Sequence, residues 1–167
     1  MHITQQYYQN KPSLFLMNTE QQEYISLISR STHDDILIKK TGWEAINFQE
    51  HAHEKFQIIY TLSGTLHVET GGVNYFVPEK HIAWIPEKAS HKLSSNSRQV
   101  SLIIFYINLN ITPDDGKNRF SIYSTNGIIA ENLKFIASKG KVITRGKQTD
   151  LYNFALSFFN LFPKMTL

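Results

Sequence analysis

The 167-residue sequence contains no cysteine. Disulfides, thiolate metal sites and cysteine nucleophiles are therefore excluded, and the absence fits a reducing compartment. No apolar run approaches the roughly 20 residues that span a bilayer; the longest lies between 102 and 107. The start, Met1-His-Ile-Thr-Gln-Gln-Tyr-Tyr, lacks the basic residues and apolar stretch of a signal peptide. There is no internal repeat and no low-complexity tract. Together these absences predict a soluble cytoplasmic protein with no membrane partner. The formal charge is +3 and the basic residues are scattered, apart from a loose cluster between 134 and 147. That distribution reads as a solvated surface rather than a nucleic-acid patch.

A chain of this length can bury about 70% of its unfolded surface, enough for one domain without staples. Residues 1–33 read as an N-terminal arm. In it Pro12-Ser-Leu-Phe-Leu-Met17 suits a short strand, and residues 20–30 fit helix or strand equally. From Ile36 to Ile107 the pattern is of short β-formers separated by turns, which predicts an antiparallel sandwich or barrel over 34–112. Gly71-Gly72 between two such runs is a two-residue hairpin signal, because both central positions favour positive φ.

After the loop at 113–116 the period becomes helical, so 113–167 reads as a helical segment. Asn126 caps a first helix with Ile129, Leu133, Ile136 and Ala137 on one face, stopped by Gly140. Thr149-Asp150 caps a second, with Leu151, Phe154, Ala155, Phe158, Phe159 and Phe162 on one stripe and Pro163 as its end. Four phenylalanines left wet would be costly. The stripe is therefore expected both to cover the barrel and to meet a twin in a homodimer through Leu151, Phe154, Phe158 and Phe162.

One stretch carries chemistry. His51 and His53 lie two apart, so an extended strand points both to one face. His91 follows a turn at Pro86. If these segments share a sheet, three imidazoles and the Gln57 amide converge in one cavity. Tyr60 and Trp84 are candidates to line it, since ligand cavities are mainly apolar with a few placed polar groups.

These spacings resemble the cupin superfamily. Its first motif reads G-x5-H-x-H-x3-E-x6-G, and its second reads G-x5-P-x-G-x2-H-x3-N. His51, His53 and Gly64 match the first, with Gln57 in place of the glutamate and Ala45 in place of the first glycine. Pro86 and His91 match the second, with Lys80, Lys88 and Ser95 at the glycine and asparagine positions. The resemblance implies a mainly β fold: a double-stranded β-helix, or jelly-roll, barrel with two C-terminal α-helices. It also implies that His51, His53 and His91 correspond to metal ligands of metal-binding cupins, so a divalent transition metal is a possible cofactor.

The layout of arm, barrel and paired helices is similar to the N-terminal half of AraC-type transcription regulators. That likeness implies effector binding and dimerisation, with DNA read by a further C-terminal domain absent from this chain. The reading preferred here is a non-enzymatic sensor whose small-molecule effector, a sugar among the candidates, contacts His51, His53, Gln57, Tyr60, Trp84 and His91. The alternatives are a cupin metalloenzyme, a dioxygenase or isomerase using the three histidines, and a carbohydrate-binding module without regulatory role.

Overall fold

The structure, a computed structural model, describes residues 19–111 and 116–165. The expected strand at 12–17 lies outside the described residues. The ambiguous stretch that follows is a helix, α1 (Thr19–Arg30).

Among the described residues, ten strands follow the turn signals. They are β1 (Asp35–Lys40), β2 (Asn47–His51), β3 (Phe56–Ser63), β4 (Thr65–Thr70), β5 (Val73–Pro78), β6 (His81–Ile85), β7 (His91–Ser94), β8 (Ser101–Ile107), β9 (Ser121–Ser124) and β10 (Val142–Thr144). Two helices, α2 (Gly127–Ala137) and α3 (Thr149–Met165), lie near the C-terminal end. The strands form a six-stranded sheet, β10-β1-β8-β3-β6-β9, and a four-stranded sheet, β2-β7-β4-β5. Their pairings are antiparallel; β4 and β5 form a hairpin, and the other pairs join strands distant in sequence. This is the jelly-roll arrangement of a cupin barrel.

The six-stranded sheet is buried on both faces, which is why its central strands read as near-continuous apolar runs. Along β3, Phe56, Ile58 and Tyr60 face the helices, while Ile59 faces the four-stranded sheet. β8 alternates in the same way: Ile103, Phe105 and Ile107 one way, Leu102, Ile104 and Tyr106 the other. The barrel interior is filled by apolar side chains, among them Leu66, Val68, Val77 and Leu93. The small strands β9 and β10 lie within the segment read as helical, yet they form the two edges of the larger sheet.

The Gly71-Gly72 turn joins β4 to β5 with both φ values positive, at 58° and 75°. Gly64 sits where a Cβ would come within 2.7 Å of the Gln99 carbonyl oxygen. Lys80 and Lys88, which occupy motif glycine positions, both have φ 64°. The left-handed backbone of the motif is thus kept without glycine. Asn126 caps α2 by accepting from the Ile129 N–H at 3.0 Å. Helix α2 ends at Ala137 with Ser138 as its cap, two residues before the expected stop at Gly140. Helix α3 runs through Pro163 to Met165 rather than ending at the proline, although the ring removes the bond to the Phe159 carbonyl and crowds it.

Candidate functional site at the α1 end of the barrel

β2 carries a bulge between Phe48 and His51. Strict alternation would put these two residues on opposite faces, since they are an odd number apart. The bulge re-aims the strand, so Phe48 joins the interior core while His51 pairs with His91 of β7 across the ladder. His53 lies just past the end of β2. Its carbonyl accepts from the Lys88 N–H at 2.7 Å, so the left-handed turn after Pro86 anchors this loop. Gln57 shares the inward face of β3, and Tyr106 the inward face of β8, directly across the ladder from it.

The three histidines converge. Their ring centroids are 4.4 Å apart for His51–His91, 5.3 Å for His53–His91 and 5.7 Å for His51–His53. Each offers a ring nitrogen within 4.8 Å of the others. The remaining nitrogens are held by main-chain carbonyls: His51 Nδ1 by Gln49 at 2.7 Å, His53 Nδ1 by Lys55 at 2.7 Å, and His91 Nδ1 by Ala89 at 2.8 Å. A carbonyl accepts only, so each Nδ1 carries the proton and each Nε2 keeps a lone pair. Burial lowers the proton affinity of all three. His91 is pushed down to about 3, by burial first and by neighbouring His51 second. The cluster is neutral at pH 7.

Gln57 is fully buried and sits between two of these lone pairs. Its Oε1 is 3.0 Å from His53 Nε2 and 2.8 Å from His91 Nε2, and its amide nitrogen is 3.2 Å from the Tyr106 hydroxyl. The same heavy-atom positions satisfy neutral imidazoles when the amide is turned over. Its two N–H bonds then donate to the two Nε2 atoms, and its oxygen accepts the Tyr106 O–H. With the oxygen inward, the amide instead supplies a fourth donor atom beside three imidazole nitrogens. That donor set fits a divalent transition metal, with His51, His53 and His91 as ligands and Gln57 as a neutral fourth. Such a metal would supply Lewis acidity. The nearby carboxylates are engaged elsewhere, Glu50 accepting from Ser90 and Glu54 near Lys88. Glu54 acts on the cluster only through space, favouring positive charge at His53.

Helix α1 lies over this end. Gln21, only 1% exposed, donates to the Gln49 carbonyl at 2.8 Å and accepts from the Gln49 N–H at 2.9 Å. Its amide nitrogen is also 3.2 Å from His51 Nδ1. Lys55 ties the same corner: its ammonium donates to the Thr32 and Asp35 carbonyls and to Asn108 Oδ1, at 2.7–2.8 Å. Burial lowers its pKa to about 8. A cavity of about 420 Å³ opens between α1 and the β2–β3 loop, walled by Ile25 and Ile28 and floored by His53, Lys55 and Asn108.

Sequence spacing thus identified His51, His53, Gln57 and His91 as neighbours. Tyr60 and Trp84 do not join them. Their strand parity points them to the helix side, where the Trp84 indole stacks on Phe162 at 6.1 Å and donates to the Lys117 carbonyl. Gln21 and Lys55 had no detectable signal, because a surface-type residue becomes a buried tether only through a partner distant in sequence. The expected dimer stripe also divides. Phe158 and Phe162 are buried on their own barrel, at 6% and 1% exposure, and Leu151 is half-buried against the same core. Only Phe154 of the four stands well exposed. It meets Phe135 edge-on at 5.8 Å.

Residues 41–123 match the family model of the AraC-like ligand binding domain, and the chain belongs to that family. Its fold is shared by fatty-acid-bound ToxT from Vibrio cholerae strain SCE256, at TM-score 0.55 and 14% identity over 82% of this chain and 56% of that one. The AraC-like transcriptional activator CuxR superposes at TM-score 0.59 and 12% identity, over 78% of this chain and 52% of that one. The chain therefore spans little more than half the length of these regulators. No curated protein sequence matches it. Among the described residues, no helix is long and apolar enough to cross a membrane.

Proposed function

We propose that this chain is the sensing portion of an AraC-type transcription regulator, and that its effector binds where α1 crosses the histidine end of the barrel. The observation that carries this reading is the buried His51–His53–His91–Gln57 cluster, roofed by α1 and bordered at His53 by a cavity walled with isoleucines. A small molecule there meets the His53 ring, the polar floor at Lys55 and Asn108, and an apolar wall. That mixture suits an organic molecule with a polar head, such as the unsaturated fatty acid named for ToxT. Binding changes the stability of docked α1, and only such differential affinity can move a downstream state. DNA reading is assigned to a part of the regulator outside residues 1–167.

Thermal shift with oleate, short carboxylates and monosaccharides tests this. At least one probe should stabilise the protein, and His53→Ala should abolish that shift. A shift that survives His53→Ala, or none with any probe, rejects the site.

The reading includes a homodimer, supported by apolar residues on both C-terminal helices. Ile128 and Phe135 lie one heptad apart on α2, as do Phe154 and Leu161 on α3, and all four are exposed by 40–65%. Sedimentation should show Phe135→Asp/Phe154→Asp as a monomer. A variant that remains dimeric removes this surface from the interface.

The metal reading is favoured by one feature, the carbonyl-held Nδ1 atoms that aim three Nε2 lone pairs inward. Co²⁺ added to the purified protein would give tetrahedral visible absorption that His91→Ala removes. A spectrum unchanged from free Co²⁺ dismisses it.

A further inference from the structure

A second cavity, of about 410 Å³, lies on the other side of α1, between its first turns, β1 and the end of α2. Its lining includes Glu20, Tyr24, Lys39, Lys40, Ser138 and Lys141. Three ammonium groups thus share it with one carboxylate. Lys39 is the unusual member. Its side chain is 5% exposed, and its Nζ lies 3.9 Å from the Tyr24 ring centroid and 4.9 Å from that of Phe48. A buried ammonium needs a counter-charge. The one it has is Glu20, which is itself 55% exposed and belongs to the first turn of α1. Among the described residues, Lys40 and Lys141 have no ion pair.

We infer that this cavity is an anion site for a phosphate monoester, and that Glu20 occupies the anion's seat when the site is free. A carboxylate on the same chain competes at a high effective concentration, so a single external carboxylate gains little by replacing it. A phosphate carries close to two charges at neutral pH and three acceptor oxygens. Lys40 and Lys141 supply the cations that a second charge requires. Glu20 is followed directly by Gln21, which pins α1 to Gln49 beside His51. Phosphate at Lys39 therefore displaces one tether of α1 next to the other. The site does not depend on the effector cavity or on what fills it.

The test is calorimetric titration of the purified chain with inorganic phosphate, against sodium chloride at equal ionic strength, with hydrogen exchange of the α1 amides measured in parallel. Saturable binding to phosphate alone is expected, with faster exchange along α1. Glu20→Gln removes the competitor and leaves every lysine in place, so it should tighten phosphate binding about tenfold, while Lys141→Ala weakens it at least fivefold. Equal heats from phosphate and chloride, or a Glu20→Gln affinity equal to that of the wild type, overturn the inference. Both outcomes can be read without Lys39 variants, which leave two aromatic rings and a carboxylate around a lost buried charge.

Discussion

Helix α3 meets the six-stranded sheet through Phe158, Phe159 and Phe162, with Phe159 packed at 5.1 Å on Phe105 and Phe162 stacked on Trp84. Helix α1 meets the barrel end chiefly through polar groups: Gln21 on the Gln49 main chain and Glu20 on Lys39. Its buried residues are Gln21 and Ile28, against five on α3. Apolar burial has no preferred alternative partner, so α3 leaves only when the protein unfolds. Amide and carboxylate contacts can be exchanged for water, an ion or a ligand at small net cost. The helix held by exchangeable contacts is the one that roofs the histidines.

The contrast can be broken most severely at α3. Phe159→Ala should destabilise the whole protein by about 3–5 kcal/mol, seen as a lower urea midpoint with one cooperative transition. A separate early transition would mean that α3 is the detachable helix instead.

Acid should act at the other end. Above pH 6.5 both the folded and unfolded states hold neutral imidazole, and nothing is lost. Below it the unfolded chain takes up a proton that His91, pushed down to about 3, refuses. Stability therefore falls as pH drops from 6.5 towards 3, by about 1.4 kcal/mol per unit for this histidine. Chemical denaturation at pH 7 and pH 5 checks this, and equal stability at both would place His91 in contact with water.

Lys55→Met sharpens the comparison, because it strips three acceptors of their donor at the corner joining α1 to β1. A loss of about 1–3 kcal/mol is expected, with exchange quickened around Thr32 and Asn108. The mildest change is Gln21→Ala. It should cost about 1 kcal/mol and speed exchange in α1 while leaving α3 amides protected. Equal acceleration in both helices would erase the distinction.

Much of this was legible in the residues alone. Gly71-Gly72 fixed a hairpin because few dipeptides tolerate two left-handed positions. The spacing of His51, His53, Gln57 and His91 located the cluster, although the reason was only half visible. His53 stands beyond β2, and a bulge, which leaves no mark in composition, brings His51 into line with Phe48. Tyr60 and Trp84 were candidates to line the cavity but face the helices, and a strand buried on both sides shows no alternation from which to read that. Helix α1 was ambiguous for a related reason: its docking uses polar side chains, so no apolar stripe announces it. Phe158 and Phe162 looked available for a partner because a stripe of phenylalanines does not say whose surface it covers.

Lys80 and Lys88 hold the left-handed backbone that the cupin pattern assigns to glycine. Each bears a strain of about 1–2 kcal/mol that glycine would not, and the turns form nonetheless. What these two corners require is an angle, not a particular residue. Two lysines thus carry a corner geometry that their side chains disfavour, and the loop that Lys88 closes on His53 keeps its shape.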